Sequence, residues 1–475
     1  MVRRLALNVL FVIALTGCGK ARVGNLPSTS STSSTSTSSA GSTSSTSSAT
    51  STNGSSGSSG HSSNSSGTST SGSTNSSGSS TTTGSSGTSG SGGSTGTGDT
   101  YLPWEGGPSY YAQWSHGPSS DPNFFPISVW LQSPPNATRY QAIGVNTFIG
   151  LYDGPTQSDL DTLHTDNMPV LCDQNSVALS YGSNSPIVGW TQQDEPDNAQ
   201  SLPDGGGYGP CVDPQVLIGL EAQWKSADAT RPVFLNTGQG TAWDDYYGRG
   251  SACAGNVGMY VNYAQAADIL SFDIYPMNST DAAVAGKLEM VPKGIDRLRT
   301  DSNYQKAVWN WIETTSINAD GNGPSTDNVR SEVWMSLIHG SRGIGYFAHV
   351  IGPPFDETGL LDDATMSAAV SALDQQIESL APVLNTPPIG NAINVQISDP
   401  NVPVDTLAKR DPSSGRLYVF AAAMRNSPVT ATFRLRQNEG ANATVLGENR
   451  TIAVNGTTFS DDFTGYAVHL YQFGP

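Results

Sequence analysis

Between Ser28 and Gly98 the chain has almost nothing to fold with. These 71 residues are nearly all Ser, Thr and Gly, with a few Asn, two Ala and one His. No aliphatic side chain larger than Ala, no aromatic and no charged group occurs among them. Such a segment buries nothing that could offset the entropy of ordering it, so a flexible coil is expected. Its r.m.s. reach is roughly 45 Å, the dimension of a tether. A mucin-like glycosylated stalk is the alternative reading of the same composition. Compact structure is therefore expected only from about Tyr101 onward.

The upstream end says what the tether is tied to. Arg3-Arg4 precede an apolar run, Leu5 to Leu15, too short to span a bilayer comfortably but suited to a secretory signal. The run ends in Leu15-Thr16-Gly17-Cys18, which resembles the lipobox of bacterial lipoproteins. That resemblance implies a signal peptide over 1–18, lipid attachment at Cys18 and a disordered tether over 19–100. Gly19 fits sorting to the outer surface of the cell envelope. An ordinary signal peptide with a Cys near its cleavage site is the alternative.

Export leaves Cys172, Cys211 and Cys253, enough for one disulfide and one thiol. Cys211 and Cys253 both sit in Gly-rich, loop-like surroundings and are the preferred pair. The net charge is −18, and setting aside Arg3, Arg4, Lys20 and Arg22 leaves the remainder near −22. That field disfavours nucleic acid and leaves a neutral substrate easier to accept.

From Tyr101 short β-like runs alternate with helical stretches, the pattern of an α/β fold with a parallel sheet. Strands are expected at 125–131, 144–152, 169–173, within 186–196, within 231–240, and at 267–276, 306–315 and 342–350. Eight strands over roughly 285 residues fit a TIM (β/α)8 barrel across 101–386. A doubly wound open sheet is the runner-up, although no Gly-rich phosphate fingerprint follows the first strand. Beyond Pro387 the pattern changes to strands and turns, read as a small antiparallel β-sandwich over 387–475.

In a barrel, chemistry sits at the C-terminal ends of the strands. Glu195 ends the fourth expected strand and Glu313 the seventh. Two carboxyl groups flanking one bond are what glycoside hydrolysis requires. The stretches "GWTQQDEP", "DILSFDIYP", "WNWIET" and "EVWMSLIHGSRGIGYF" together resemble clan A glycoside hydrolases, over about Phe125 to Leu384. The resemblance implies a retaining glycosidase with Glu195 as acid/base, Glu313 as nucleophile and Tyr275 hydrogen-bonded to that nucleophile. It also implies a neutral poly- or oligosaccharide substrate. One departure stands out: the clan usually carries Asn before its acid/base, where this chain has Asp194. An ionised Asp only accepts hydrogen bonds, so either the sugar contact differs or the acid/base role could fall to 194 instead of 195.

Asp194-Glu195-Pro196 also reads as a helix start, with Pro in the first turn and carboxylates at the N-terminus. Trp130, Tyr152, Trp190, Trp309 and Tyr346 are candidates to stack on sugars, each with core packing as its competing role. Asn236, Gln239 and His349 are placed to bond hydroxyls, and Asp273 reads equally as a structural acid. The six His show no metal spacing and no cofactor motif is present, so neither metal nor cofactor is expected. A monomer is expected. A catalytically silent glycan-binding or adhesion lipoprotein, and a metal-dependent hydrolase, are the competing functions. Cys18→Ser is expected to release the protein from the membrane fraction on cell fractionation; partitioning like wild type would contradict the lipobox.

Overall fold

The structure, a computed structural model, describes residues 98–474 apart from positions 103, 183, 204, 251 and 252. The signal segment, Cys18 and the tether up to residue 97 lie outside the described residues. The sheet nearest the N-terminus is wholly parallel. Its strands are β1 (Ile127–Trp130), β2 (Thr147–Ile149), β3 (Val170–Cys172), β4 (Ile187–Thr191), β5 (Val233–Thr237), β6 (Ile269–Phe272), β7 (Ala307–Val308), β8 (Asn310–Glu313) and β9 (Ile344–Phe347). They run in the order β7-β6-β5-β4-β3-β2-β1-β9-β8.

β7 and β8 are one segment interrupted at Trp309. β7 pairs with β6, and β8 pairs with β9, so the sheet closes on itself as a barrel of eight strand positions. The interruption has a steric cause. Trp309 and Trp311 share an interior cluster with Ile149, Leu171, Phe234 and Ile269. Two indoles on one strand face exceed what a regular barrel layer accommodates. Gly343 and Gly345 make the room: a Cβ at Gly345 would lie 2.4 Å from Trp311 ring carbons, and one at Gly343 would lie 2.4 Å from Trp309.

The helix Pro108–Tyr111 precedes the first strand, and its Tyr111 belongs to the same interior cluster. Trp309 Nε1 donates to Tyr111 Oη at 2.8 Å. Outside the strands a larger apolar cluster joins them to the helices. Helix entry follows capping chemistry: Thr156 and Asp159 form a capping box on Gln157–Thr165, and Asp213 caps Pro214–Ala227 with Pro214 in the first turn.

The C-terminal part is a sandwich of two antiparallel sheets. One holds β10 (Ile393–Ile397), β13 (Val429–Leu435) and β16 (Thr458–Phe463); the other holds β11 (Val404–Arg410), β12 (Leu417–Ala423), β17 (Val468–Phe473), β14 (Asn442–Val445) and β15 (Arg450–Ala453). β13 alternates buried and exposed positions, as a strand with one buried face should. The helix Thr326–Ile338 is buried between barrel and sandwich, where Trp334 lies 5.1 Å from Phe420.

Gly345→Ala is expected to destabilise the protein by about 1–3 kcal/mol through overpacking against Trp311. Chemical unfolding checks it, and an unchanged midpoint would contradict the packing described for the barrel floor.

Candidate active site

The segment after β4 does not start a helix. Residues 194–200 form turns and bends, and the next helix begins at Pro214. The acids of Asp194-Glu195-Pro196 therefore cap nothing there. Glu195 instead has φ +42°, a left-handed conformation that a non-glycine residue rarely adopts, least of all before proline. Backbone of this kind persists only where surrounding contacts over-determine it. Here the two acids take different partners. Asp194 Oδ1 accepts from Asn236 Nδ2 at 2.9 Å, while Glu195 Oε2 lies 3.2 Å from Arg249 Nη2.

Asn236 stands near the C-terminal end of β5 and Asp273 directly follows β6. Asn236 Nδ2 also donates to Asp273 Oδ2 at 2.8 Å, and Ser271 Oγ donates to Asn236 Oδ1. One amide nitrogen thus bridges two carboxyls, which are no farther apart than those two bonds laid end to end. Asp197, the fourth acid, accepts from Gly238 N and Tyr260 Oη, both at 2.8 Å. Gly238 is close to Glu195 as well: a Cβ there would meet Glu195 Oε1 at 2.8 Å.

Asp194, Glu195 and Asp273 are buried and Asp197 is half-buried, and desolvation is the leading cause of the raised pKa of all four. Glu195 reaches about 8; Arg249 opposes the rise while Asp194 and Asp197 add to it. Asp194 reaches about 6, restrained by the Asn236 bond and by Arg249. Asp273 is pushed well up by burial, then by the charges of Glu195 and Asp194. Burial thus favours the protonated form at Glu195 and Asp273, while the Asn236 bond and Arg249 hold Asp194 lower. Environments that push neighbouring acids apart in this way separate proton donor from anion.

Glu313 lies in different company. Its Oε1 accepts from Met277 N at 2.6 Å, and its Oε2 from Asn278 N at 2.9 Å and Asn278 Nδ2 at 2.6 Å. Burial and the nearby Glu313 charge push the pKa of buried Glu332, on the helix Thr326–Ile338, well up. Both Glu313 oxygens are thus taken up and the side chain is fully buried. This departs from the expectation of an open nucleophile at that position. The acids acting on Glu195 are Asp194 and Asp197, whereas the acid acting on Glu313 is Glu332.

The other expected site residues divide. Tyr275 is half-buried, 5.2 Å from Phe347, and joins the interior cluster from the upper end of the barrel. Trp130 is half-buried with its edge 5.3 Å from Trp311. Trp309 belongs to the floor, bonded to Tyr111, so the stacking role expected for it gives way to packing. Tyr346 likewise leaves the site: it is fully buried and its hydroxyl donates to Asp374 on the helix Ala364–Leu384. Trp190 is buried in the outer cluster. His349 is buried, with Nε2 3.0 Å from both Tyr152 Oη and Leu131 O, and burial lowers its pKa to about 4.

Four residues of the site had not been singled out in the sequence: Asp197, Asn198, Tyr246 and Arg249. Tyr246 and Arg249 come from the segment 239–256, tied down by a disulfide between Cys211 and Cys253. Cys172 is free and buried. Among the described residues no group of three or more His, Cys, Asp or Glu side chains is placed to hold a metal ion.

No protein-family model matches the sequence, and no curated protein matches it. Solved structures resemble it in chain path. An alpha-amylase from Geobacillus thermoleovorans complexed with acarbose is 8% identical, with a TM-score of 0.46 over 74% of this chain and 99% of that one. A GH30 endoxylanase from Clostridium papyrosolvens is 12% identical, with a TM-score of 0.40 over 74% and 96%. A maltogenic alpha-amylase from Thermotoga neapolitana is 10% identical, with a TM-score of 0.41 over 75% and 99%.

The raised pKa of Glu195 has a consequence for stability. Its ordinary value is 4.5, and the native state holds the proton up to about 8. Between those values the unfolded chain has released a proton that the native state keeps, so native stability falls as pH rises. Glu195→Gln removes that penalty. Its melting temperature relative to wild type is expected to climb between pH 5 and pH 8. A difference independent of pH would contradict a protonated Glu195.

Proposed function

We propose that the protein is a glycoside hydrolase acting on a neutral poly- or oligosaccharide by a two-carboxylate retaining mechanism, with Glu195 as acid/base. The observation that carries this reading is a buried glutamate, held by Arg249 and Asn198, inside a carboxyl cluster at the C-terminal mouth of a barrel. Asp273 takes the nucleophile's part in place of Glu313. In its support, Asp273 directly follows β6 and shares the Asn236 amide with Asp194, whereas both Glu313 oxygens already accept bonds from Met277 and Asn278.

In the first step Glu195 donates its proton to the glycosidic oxygen as the bond from the sugar's anomeric carbon breaks. Asp273, having first lost its own proton to solvent water, attacks that carbon as a carboxylate from the opposite face and forms a glycosyl ester. In the second step Glu195, now a carboxylate, takes a proton from water, and the water oxygen displaces Asp273. Two inversions give net retention. The amide of Asn236 stabilises the charge that returns to Asp273. Asp194 contributes an acceptor for a sugar hydroxyl, which suits a carboxylate where the clan carries an amide.

The proposal extends to location. The lipobox-like segment at Cys18 and the tether support an exported enzyme, lipid-anchored at the bacterial cell envelope and reaching outward for polymeric substrate.

Purified protein assayed on a panel of α- and β-linked neutral glycans tests the activity, and azide rescue tests the roles. Glu195→Ala is expected to lose most turnover on natural glycan and regain it with azide, yielding a glycosyl azide of retained configuration. Asp273→Ala is expected to yield the inverted azide. Inverted azide from Glu313→Ala would return the nucleophile to Glu313. No cleavage across the panel, with glycan still bound, would leave a glycan-binding lipoprotein instead.

A further inference from the structure

We propose that Arg249 is the positioning residue for Glu195: carried over the barrel mouth by segment 239–256, it fixes the orientation of the acid and keeps its proton transferable. The proposal rests on Glu195 being the acid/base.

The segment leaves β5 through the helical turn Gln239–Thr241 and is held at three places. Arg297 Nη2 donates to Asp244 Oδ1 at 2.6 Å, and Arg297 Nη1 donates to Gly240 O at 3.3 Å. Cys253 is bonded to Cys211, three residues before the helix Pro214–Ala227. Between these ties the chain turns Tyr246 and Arg249 inward. Arg249 Nε donates to Ala199 O at 2.9 Å, and Arg249 N donates to Asn198 Oδ1 at 3.1 Å. Asn198 Nδ2 donates to Tyr246 Oη at 3.1 Å and to Glu195 Oε2 at 3.3 Å. Glu195 Oε2 thus receives Arg249 and Asn198 together, while Oε1 rests against Gly238.

The arrangement is buried throughout, with the Arg249 and Glu195 side chains 5% and 3% exposed. Coulomb forces are poorly screened in such a place. The groups that face Glu195 are Asp194 and Asp197 on its own segment, Asp273 after β6, and Tyr246 and Arg249 from above. Of these only Arg249 is positive. Burial, Asp194 and Asp197 favour the neutral carboxyl; Arg249 alone among the charges favours the carboxylate.

The same residue therefore matters in both steps. An acid whose proton is held too tightly gives it up poorly to the glycosidic oxygen, and general acid–base catalysis is best with a pKa near the working pH. Because Arg249 rides on a crosslinked loop and not on a barrel strand, the acid is matched to its task by a separable part of the fold.

The test uses full-length wild type, Arg249→Met and Arg249→Lys, with two readouts. The first is the basic limb of the pH profile of kcat/KM. The second is the carboxyl carbon-13 titration of Glu195, assigned by its loss in Glu195→Gln. Arg249→Met is expected to move both midpoints upward by at least about one pH unit, as loss of an adjacent opposite charge does. Arg249→Lys is expected to fall between that variant and wild type. If Arg249→Met lowers activity and leaves both midpoints in place, Arg249 is a structural residue only and the proposal is overturned. Where Arg249→Met does not fold, Arg249→Lys with wild-type midpoints and reduced activity overturns it equally. If wild type cuts no glycan, the hydrolase reading fails, and the carbon-13 midpoints still decide this inference.

Discussion

Four carboxyls gathered around one amide and one guanidinium, three of them buried and one half-buried, are the constraint on which the upper end of this barrel depends. Buried carboxylates are costly unless they are bonded or neutralised. The chain meets that cost by both routes. Asn236 bonds Asp194 and Asp273; Gly238 and Tyr260 bond Asp197; Arg249 and Asn198 bond Glu195. What remains is met by protonation, with Glu195 neutral up to about 8. The strained backbone at Glu195 and the crosslinked segment above it belong to the same solution. The bonds around the cluster hold the strained backbone at Glu195, and the disulfide ties down the segment that carries Arg249.

A second buried acid pair, Glu313 with Glu332, shows how the same chemistry serves structure. There Glu313 accepts from the backbone amides of Met277 and Asn278 and from the Asn278 side chain, with Glu332 pushed well up beside it. The pair ties the segment after β6 to the strand β8 and to the helix behind it. Both clusters contain a glutamate at a strand end. What separates them is whether the oxygens are left with anything to do.

Much of the barrel was legible because its signals are local. Each of the eight expected strands contains an observed one, and the resemblance of the barrel stretches to clan A enzymes carried the acid at 195. In the sandwich, strands such as Val429–Leu435 show their alternation, whereas "INVQI" and "NATV", β10 and β14, mix apolar with polar residues over only four or five positions. "TIAVNGTTFSDDF" holds two strands, β15 and β16, because Asn455-Gly456 makes a turn. At the site the misses are long-range. Arg249 sits in "YYGRGS", where nothing marks it as the partner of an acid 54 residues earlier. The donors that enclose Glu313, Met277 and Asn278, come from the segment after β6, far from it in sequence. Trp309 and Tyr346 show the limit of alternation: one belongs to the floor and the other to the outer wall, and neither reaches the mouth.

The account's central claim is that the mouth pairs Glu195 with Asp273. Trapping with a 2-deoxy-2-fluoro glycoside carrying an activated leaving group, followed by peptide mass spectrometry, tests it most directly. The sugar is whichever the glycan panel shows to be cut. The account expects the fluoroglycosyl group on the peptide spanning β6, attached to Asp273. Attachment to Glu313, or to Asp194, would contradict it.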